Sequence, residues 1–197
     1  MKSIILATNN NNKVREFREI LAGQDIEVLP LKEAGIEADI EETGETFEEN
    51  ALIKARVVCK MTGKPALADD SGLCVDYLDG APGVYSSRFM GEDTPYSEKN
   101  AAIIEKLSEV PEEERGAAFH CVIALVFPDG REFTAEGKMP GIIAYDPAGE
   151  NGFGYDPIVF LPEYGKTSAE LLPEEKNAIS HRGEALKKML KIIGEEM

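Results

Sequence analysis

The apolar residues of this chain change period several times, and each change marks an element. Ser3-Ile4-Ile5-Leu6-Ala7 has the short unbroken run of a buried strand, and over 13–21 the apolar positions Val14, Phe17, Ile20 and Leu21 take the spacing of an amphipathic helix. Residues 8–13 between them form a strand-to-helix turn. A second strand is predicted over 25–29, followed by an acidic stretch at 37–45. Thr46-Phe47-Glu48-Glu49 is a capping box, which opens a helix running to about Met61 with Gly63 as its stop.

A short apolar strand over 65–68 ends at Asp69-Asp70-Ser71-Gly72. That placement puts two carboxylates and a hydroxyl at a strand's carboxyl end, where open α/β sheets carry their ligands. After a glycine- and proline-rich loop at 80–83, a helix is expected over 96–107. Residues 117–127 read as a long strand, Asp129-Gly130 as a hairpin turn and 131–138 as the returning strand. Gly152-Phe153-Gly154-Tyr155-Asp156-Pro157 is a rigid loop ahead of a strand at 158–161, and a last helix covers 181–193. The fold class is α/β, with an antiparallel pair inserted into the framework.

Composition narrows the class. With 197 residues, 43% of them hydrophobic and 29% charged, the chain suits one globular domain spanning 1–197, or two closely packed lobes. No run approaches the ~20 apolar residues that span a bilayer, and the opening Met1-Lys2-Ser3-Ile4-Ile5-Leu6-Ala7-Thr8-Asn9 turns polar too soon for a signal-peptide core. A cytoplasmic protein is expected. Cys59, Cys74 and Cys121 lack zinc or redox spacing and read as free thiols in apolar surroundings. The formal charge of −16 excludes a broad basic face for nucleic acid. An anionic small molecule needs a local cluster of donors or a bound cation to overcome that field.

Five segments carry candidate chemistry. The turn Thr8-Asn9-Asn10-Asn11-Asn12-Lys13 brings a hydroxyl, amides and a lysine to a helix amino terminus, where phosphate oxygens bind. Taken alone, it is equally an asparagine-rich helix cap. Asp69 and Asp70 repel each other unless a cation or a proton relieves them. Magnesium would do so, since it favours one or two carboxylates completed by water and phosphate oxygens. A carboxylate left over could then take a proton from the attacking water. Glu41-Glu42 is either a further oxygen donor or a solvated acidic loop. Asn50 and Lys54 share a polar stripe on the helix that opens at Thr46, and Lys54 becomes a phosphate ligand only if that stripe faces the Asp69 segment. Lys176, His181 and Arg182 cluster ahead of the final helix, where basic residues oppose the dipole unless an acceptor or anion sits there.

Taken in order, these segments resemble the inosine triphosphate pyrophosphatase family, the Ham1-like nucleotide hydrolases. The likeness rests on residues 7–13, on Glu41-Glu42-Thr43-Gly44 with 46–51, on Ala68-Asp69-Asp70-Ser71-Gly72-Leu73, on 80–89, on the loop at 152–157 and on Ser180-His181-Arg182. It implies a mixed sheet with flanking helices, two lobes around a central cleft, and a homodimer. It further implies magnesium-dependent cleavage of inosine and xanthosine triphosphates, including deoxy forms, to monophosphate and pyrophosphate. Thr8, Asn9, Asn10, Asn11, Asn12 and Lys13 would hold the triphosphate, with Lys54, Ser71 and Arg88 as further contacts. Glu41 and Asp70 would bind Mg²⁺, and Asp70, or its neighbour Asp69, would be the general base. Phe153 would stack on the purine, while Gly154, Tyr155, Asp156, Lys176, His181 and Arg182 would frame base and sugar. Many members have glycine where this chain has Asn9, which puts that residue's phosphate contact in question. Two other functions fit the same residues: a pyrophosphatase for modified pyrimidine or methylated nucleotides, and a sensor that binds triphosphate without cutting it.

Overall fold

The computed structural model describes residues 2–197. Seven strands form one mixed sheet in the order β2-β1-β3-β4-β5-β6-β7. They are β1 (Lys2–Leu6), β2 (Ile26–Pro30), β3 (Ala66–Val75), β4 (Gly116–Val126), β5 (Glu132–Ile143), β6 (Val159–Leu161) and β7 (Lys166–Thr167). The helices are α1 (Asn11–Leu21), α2 (Phe47–Thr62), α3 (Tyr96–Lys106), α4 (Pro173–Ile179) and α5 (His181–Glu196). β1 runs parallel to both β2 and β3, whereas β6 is antiparallel to β5 and β7.

The chain divides into two compact units. One comprises Met1–Asp70, Cys121–Gly137 and Arg182–Met197, and the other Ser71–His120 and Lys138–His181. In the first unit the period of two along β1 separates two cores. Ile4 and Leu6 join Phe17 of α1 and Ala185, Leu186 and Met189 of α5. Ile5 and Ala7 join Ala51, Ala55 and Val58 of α2. Three layers follow from that alternation. Burying a side chain such as Phe17, which is fully enclosed, stabilises the unit by about 1.5–3 kcal/mol. The second unit has its own core, with Leu73, Ile103, Phe119, Ile143, Ile158 and Leu161 among its members.

Helix ends follow local chemistry. Thr46 Oγ1 accepts from Glu49 N–H at 3.1 Å while Glu49 Oε2 accepts from Thr46 N–H at 3.2 Å, completing the capping box, and α2 ends at Gly63 with φ +64°. α1 starts two residues earlier than its apolar spacing predicts. Asn10 is its cap, and Asn10 Oδ1 accepts from the N–H groups of Asn12 (2.9 Å) and Lys13 (3.2 Å).

The larger departure concerns β3. Asp69-Asp70-Ser71-Gly72 has turn composition, yet the strand runs on to Val75, so both aspartates lie within it rather than at its carboxyl end. The reason lies elsewhere in the chain. A Cβ on Gly72 would stand 2.3 Å from Gly83 O and 2.4 Å from Ser86 Oγ, so this glycine serves a close approach and not a turn. α4, β7 and the extension of β5 to Ile143 are further elements that the sequence pattern does not announce.

Candidate functional site

In the first unit, Asp69 is the centre of a charge cluster. It is 1% exposed. Its Oδ2 accepts from Arg182 Nη2 at 2.8 Å and Nε at 3.2 Å, and Lys13 Nζ lies 3.2 Å from the same oxygen. Arg182, itself 1% exposed, also pairs with buried Glu16 through Nη1. Burial alone would raise the Asp69 pKa, but Lys13, Arg182 and Lys54 together outweigh it and hold the carboxyl well below the usual range. Beside this cluster burial pushes the Cys121 thiol up to about 12, so it is an inert core residue.

Asp70 meets a different environment. Its Oδ1 accepts from Lys54 Nζ at 3.1 Å, and the same ammonium lies 2.5 Å from Glu42 Oε1. Asp70 Oδ2 is buried and has no hydrogen-bond partner. Burial raises the Asp70 pKa, with Lys54 and Lys13 opposing the shift and Glu42 adding to it. The pKa values of the two adjacent carboxyls are thus shifted in opposite directions. Of the polar stripe of Asn50 and Lys54, Lys54 reaches the aspartates. Asn50, fully buried, accepts from Gly44 N–H at 2.8 Å and so ties the acidic segment to α2. That segment presents Glu42 to Lys54, while Glu41 is exposed.

The asparagine turn combines both of its sequence readings. Asn10 is committed to capping, and Thr8 Oγ1 accepts from Asn10 N–H at 3.1 Å. Among the described residues the N–H groups of Asn9 and Asn11 meet no acceptor and stand available to an anion. Among the described residues the non-glycine positions with positive φ are Asp79 and Met90, so the backbone at Asn9 does not require glycine. An open groove of about 940 Å³ is lined by Thr8, Asn9, Asn11 and Val14 together with Pro30, Lys32 and residues 35–39.

The second unit carries Ser71, Arg88, Phe153, Gly154, Tyr155, Asp156, Lys176 and His181. Asp156 shapes the glycine-spaced loop. Its Oδ2 accepts from Phe153 N–H (2.8 Å) and from Lys176 Nζ (2.6 Å), and its Oδ1 from Ser168 Oγ (2.8 Å). These bonds leave Asp156 as the support of the loop rather than a free acceptor. Gly152, at φ +72°, is required because a Cβ there would stand 2.1 Å from Asp156 Oδ2. Lys176 Nζ lies 5.2 Å from the centroid of the half-buried Phe153 ring. His181 stacks on Phe119 with centroids 5.0 Å apart and planes at 14°. Tyr155 is 3% exposed and its hydroxyl donates to Ser86 O at 2.7 Å, so it too is engaged internally.

The sequence pattern misses Glu16 as a member of the cluster. Its one signal is a carboxylate next to Phe17 on the buried arc of α1, where an acid needs a cation. Arg182, which sequence order groups with the base-framing residues, belongs to the first unit, with its guanidinium on Glu16 and Asp69.

Known proteins share this chain's sequence and fold. The sequence profile described as Ham1 family matches residues 4–192. A dITP/XTP pyrophosphatase of Yersinia pseudotuberculosis is 52% identical over 192 residues, covering 96% of this chain and 97% of that protein. Solved structures of a HAM1 protein from Coxiella burnetii (47% identity, TM-score 0.89, covering 99% of this chain and 100% of that one) and of the Staphylococcus aureus Ham1 protein (40% identity, TM-score 0.89, covering 100% of both) share the fold. The chain, by motif order, fold and sequence, belongs to the Ham1 family.

Proposed function

We propose that this chain is a magnesium-dependent nucleoside triphosphate pyrophosphatase that cleaves inosine and xanthosine triphosphates, ribo- and deoxy-, to monophosphate and pyrophosphate. The observation that carries the reading is the difference in cation partners between adjacent carboxylates. Asp69 Oδ2 is shared by Lys13 and Arg182, whereas Asp70 pairs through Oδ1 with Lys54, and its buried Oδ2 has no hydrogen-bond partner. The relatives' names supply the substrate class, since the Yersinia protein is a dITP/XTP pyrophosphatase.

The donors suit a hard cation. Asp70 Oδ2 is a carboxylate oxygen without a hydrogen-bond partner, and exposed Glu41 lies next to Glu42 on the segment that reaches Lys54. Among the described residues no cluster of three or more His, Cys, Asp or Glu side chains is placed to hold a metal, and a site of two carboxylates suits magnesium. Asp70 and Glu41 would hold the ion, which supplies charge neutralisation at the phosphate oxygens.

The chain's own residues do the rest. Free N–H groups of the asparagine turn and the ammonium of Lys13 bind phosphate oxygens, with Lys54, Ser71 and Arg88 as further contacts. Asp70 accepts the proton of the water that attacks the α-phosphorus, because Asp69 is held too strongly by cations to be a useful base. Asp69 is then a positioning residue for Lys13. Lys54 and Lys13 stabilise the charge that builds on the leaving pyrophosphate.

Phe153 stacks on the purine, and Lys176 and His181 offer donors to the 6-oxo group that separates inosine and xanthosine from adenosine. A site built for such a bond discriminates against a base lacking the acceptor by roughly 10⁴. We also assign the chain to the cytoplasm, where the nucleotide pool lies, as a homodimer. No described helix is long and apolar enough to cross a membrane. Light scattering at assay concentration tests the dimer.

The reading is tested by product release from inosine, xanthosine, guanosine and adenosine triphosphates with and without magnesium. Magnesium-dependent cleavage of the first two is expected. Equal cleavage of all four removes the base readout, and tight binding without cleavage makes the chain a sensor.

A further inference from the structure

The amino-terminal half of α3 holds a lysine that neither the sequence motifs nor the proposed chemistry uses. Lys99 is 1% exposed. Its Nζ donates to Ser87 O at 2.7 Å and lies 4.9 Å from the Tyr96 ring centroid, and among the described residues no carboxylate pairs with it. A buried ammonium answered only by a carbonyl and a ring face costs more than an apolar side chain of the same length. Packing therefore does not explain the choice of lysine. What the ammonium adds is a directed hold on one backbone oxygen.

That oxygen belongs to the residue before Arg88. The preceding carbonyl, Ser86 O, accepts from Tyr155 at 2.7 Å. Ser86 Oγ accepts from Leu73 N–H at 2.9 Å and donates to Gly83 O at 2.6 Å. Arg88 N–H closes the turn on Tyr85 O at 3.0 Å, and the guanidinium sits 5.2 Å from the Tyr85 ring centroid. Two consecutive carbonyls are thus clamped from two different elements immediately ahead of Arg88. The neighbouring Asn100 donates to Gly154 O at 3.2 Å, so the same turn of α3 also ties down the loop that carries Phe153.

We propose that Lys99, acting with Tyr155, is a positioning residue that fixes the Arg88 turn so that the guanidinium is oriented before a phosphate arrives. The inference rests on the reading of Arg88 as a phosphate contact. Orienting a charge during folding removes an entropic cost from binding. Loss of Lys99 therefore weakens phosphate binding through Arg88 and leaves recognition of the base alone.

The test measures dissociation constants for inorganic pyrophosphate and for the nucleoside inosine by calorimetry, and triphosphate turnover alongside. The chains compared are wild type, Lys99→Met, Tyr155→Phe, Arg88→Ala and the two doubles with Arg88→Ala, each checked for folding by near-ultraviolet circular dichroism. Lys99→Met and Tyr155→Phe are expected to weaken pyrophosphate about tenfold in the wild-type background and less than about twofold in Arg88→Ala, the signature of coupled sites. Inosine binding stays unchanged in Lys99→Met. Effects that multiply in the doubles, pyrophosphate binding that ignores Lys99→Met, or an equal loss of inosine binding overturns the inference. Should Lys99→Met fail to fold, Tyr155→Phe, which deletes a single hydroxyl, carries the test. A wild-type chain that neither binds pyrophosphate nor cleaves triphosphate overturns the functional reading and this inference with it. Additive effects in an active enzyme overturn the positioning role alone.

Discussion

Arg182 and Lys13 converge on one oxygen of Asp69, at 2.8 Å and 3.2 Å respectively. This makes the Asp69 charge part of the folded structure. A carboxyl whose folded pKa is depressed stabilises the fold above its unfolded pKa, near ~3.9, and that stability is lost as pH falls toward the folded value. Urea unfolding in chelator across the acid range should therefore show a shallower fall with acidification for Asp69→Asn than for wild type. Parallel slopes would mean that Asp69 carries no such linkage.

Glu16 closes the cluster from the far side. Its removal leaves the Arg182 guanidinium with one fewer carboxylate in a site that is 1% exposed. Breaking a buried ion pair from one side costs about 3–5 kcal/mol, so Glu16→Ala should lower the urea midpoint by that equivalent. Surface pairs such as Arg18–Glu33, with both side chains about half exposed, should cost under about 1 kcal/mol when broken. Similar losses for Glu16→Ala and Glu33→Ala would contradict the burial argument.

Asp70→Asn keeps the shape of the side chain and removes its basicity. A general base contributes typically about 10²–10⁴ in rate, so kcat should fall by at least about a hundredfold while the melting temperature holds or rises. A rate near wild type would take Asp70 out of the proton transfer.

Gly152→Ala introduces a Cβ 2.1 Å from Asp156 Oδ2 on a backbone with φ +72°. The carboxylate must move, and with it go the bonds to Phe153 N–H and Lys176. The expected outcome is a raised KM for inosine triphosphate with the global fold retained by far-ultraviolet circular dichroism. The contrasting substitution Gly130→Ala, at φ +92° but in open space, should cost stability and leave KM alone. Equal KM values for Gly152→Ala and wild type would count against the loop as the base platform.

How far the sequence reveals this architecture depends on the range of the interaction concerned. The capping box at Thr46, the stop at Gly63 and the alternation of Ile4, Ile5 and Leu6 are local and can be read directly. The extension of β3 through Gly72 cannot, because its cause lies at Gly83 and Ser86. The same holds for Glu16 and Arg182, which are 166 positions apart, and for the choice of Glu42 rather than Glu41 as the partner of Lys54. Motif order identifies the family, but the internal bonds of motif residues such as Asp156, Tyr155 and Asn10, which tie down their neighbours, emerge only in the fold.

The central claim is attack of water on the α-phosphorus of a triphosphate. Hydrolysis of inosine triphosphate in ¹⁸O-labelled water tests it most directly, with both products weighed by mass spectrometry. The account predicts inosine monophosphate carrying one labelled oxygen and unlabelled pyrophosphate in equal amounts. Label in pyrophosphate, or release of orthophosphate and diphosphate, would contradict it.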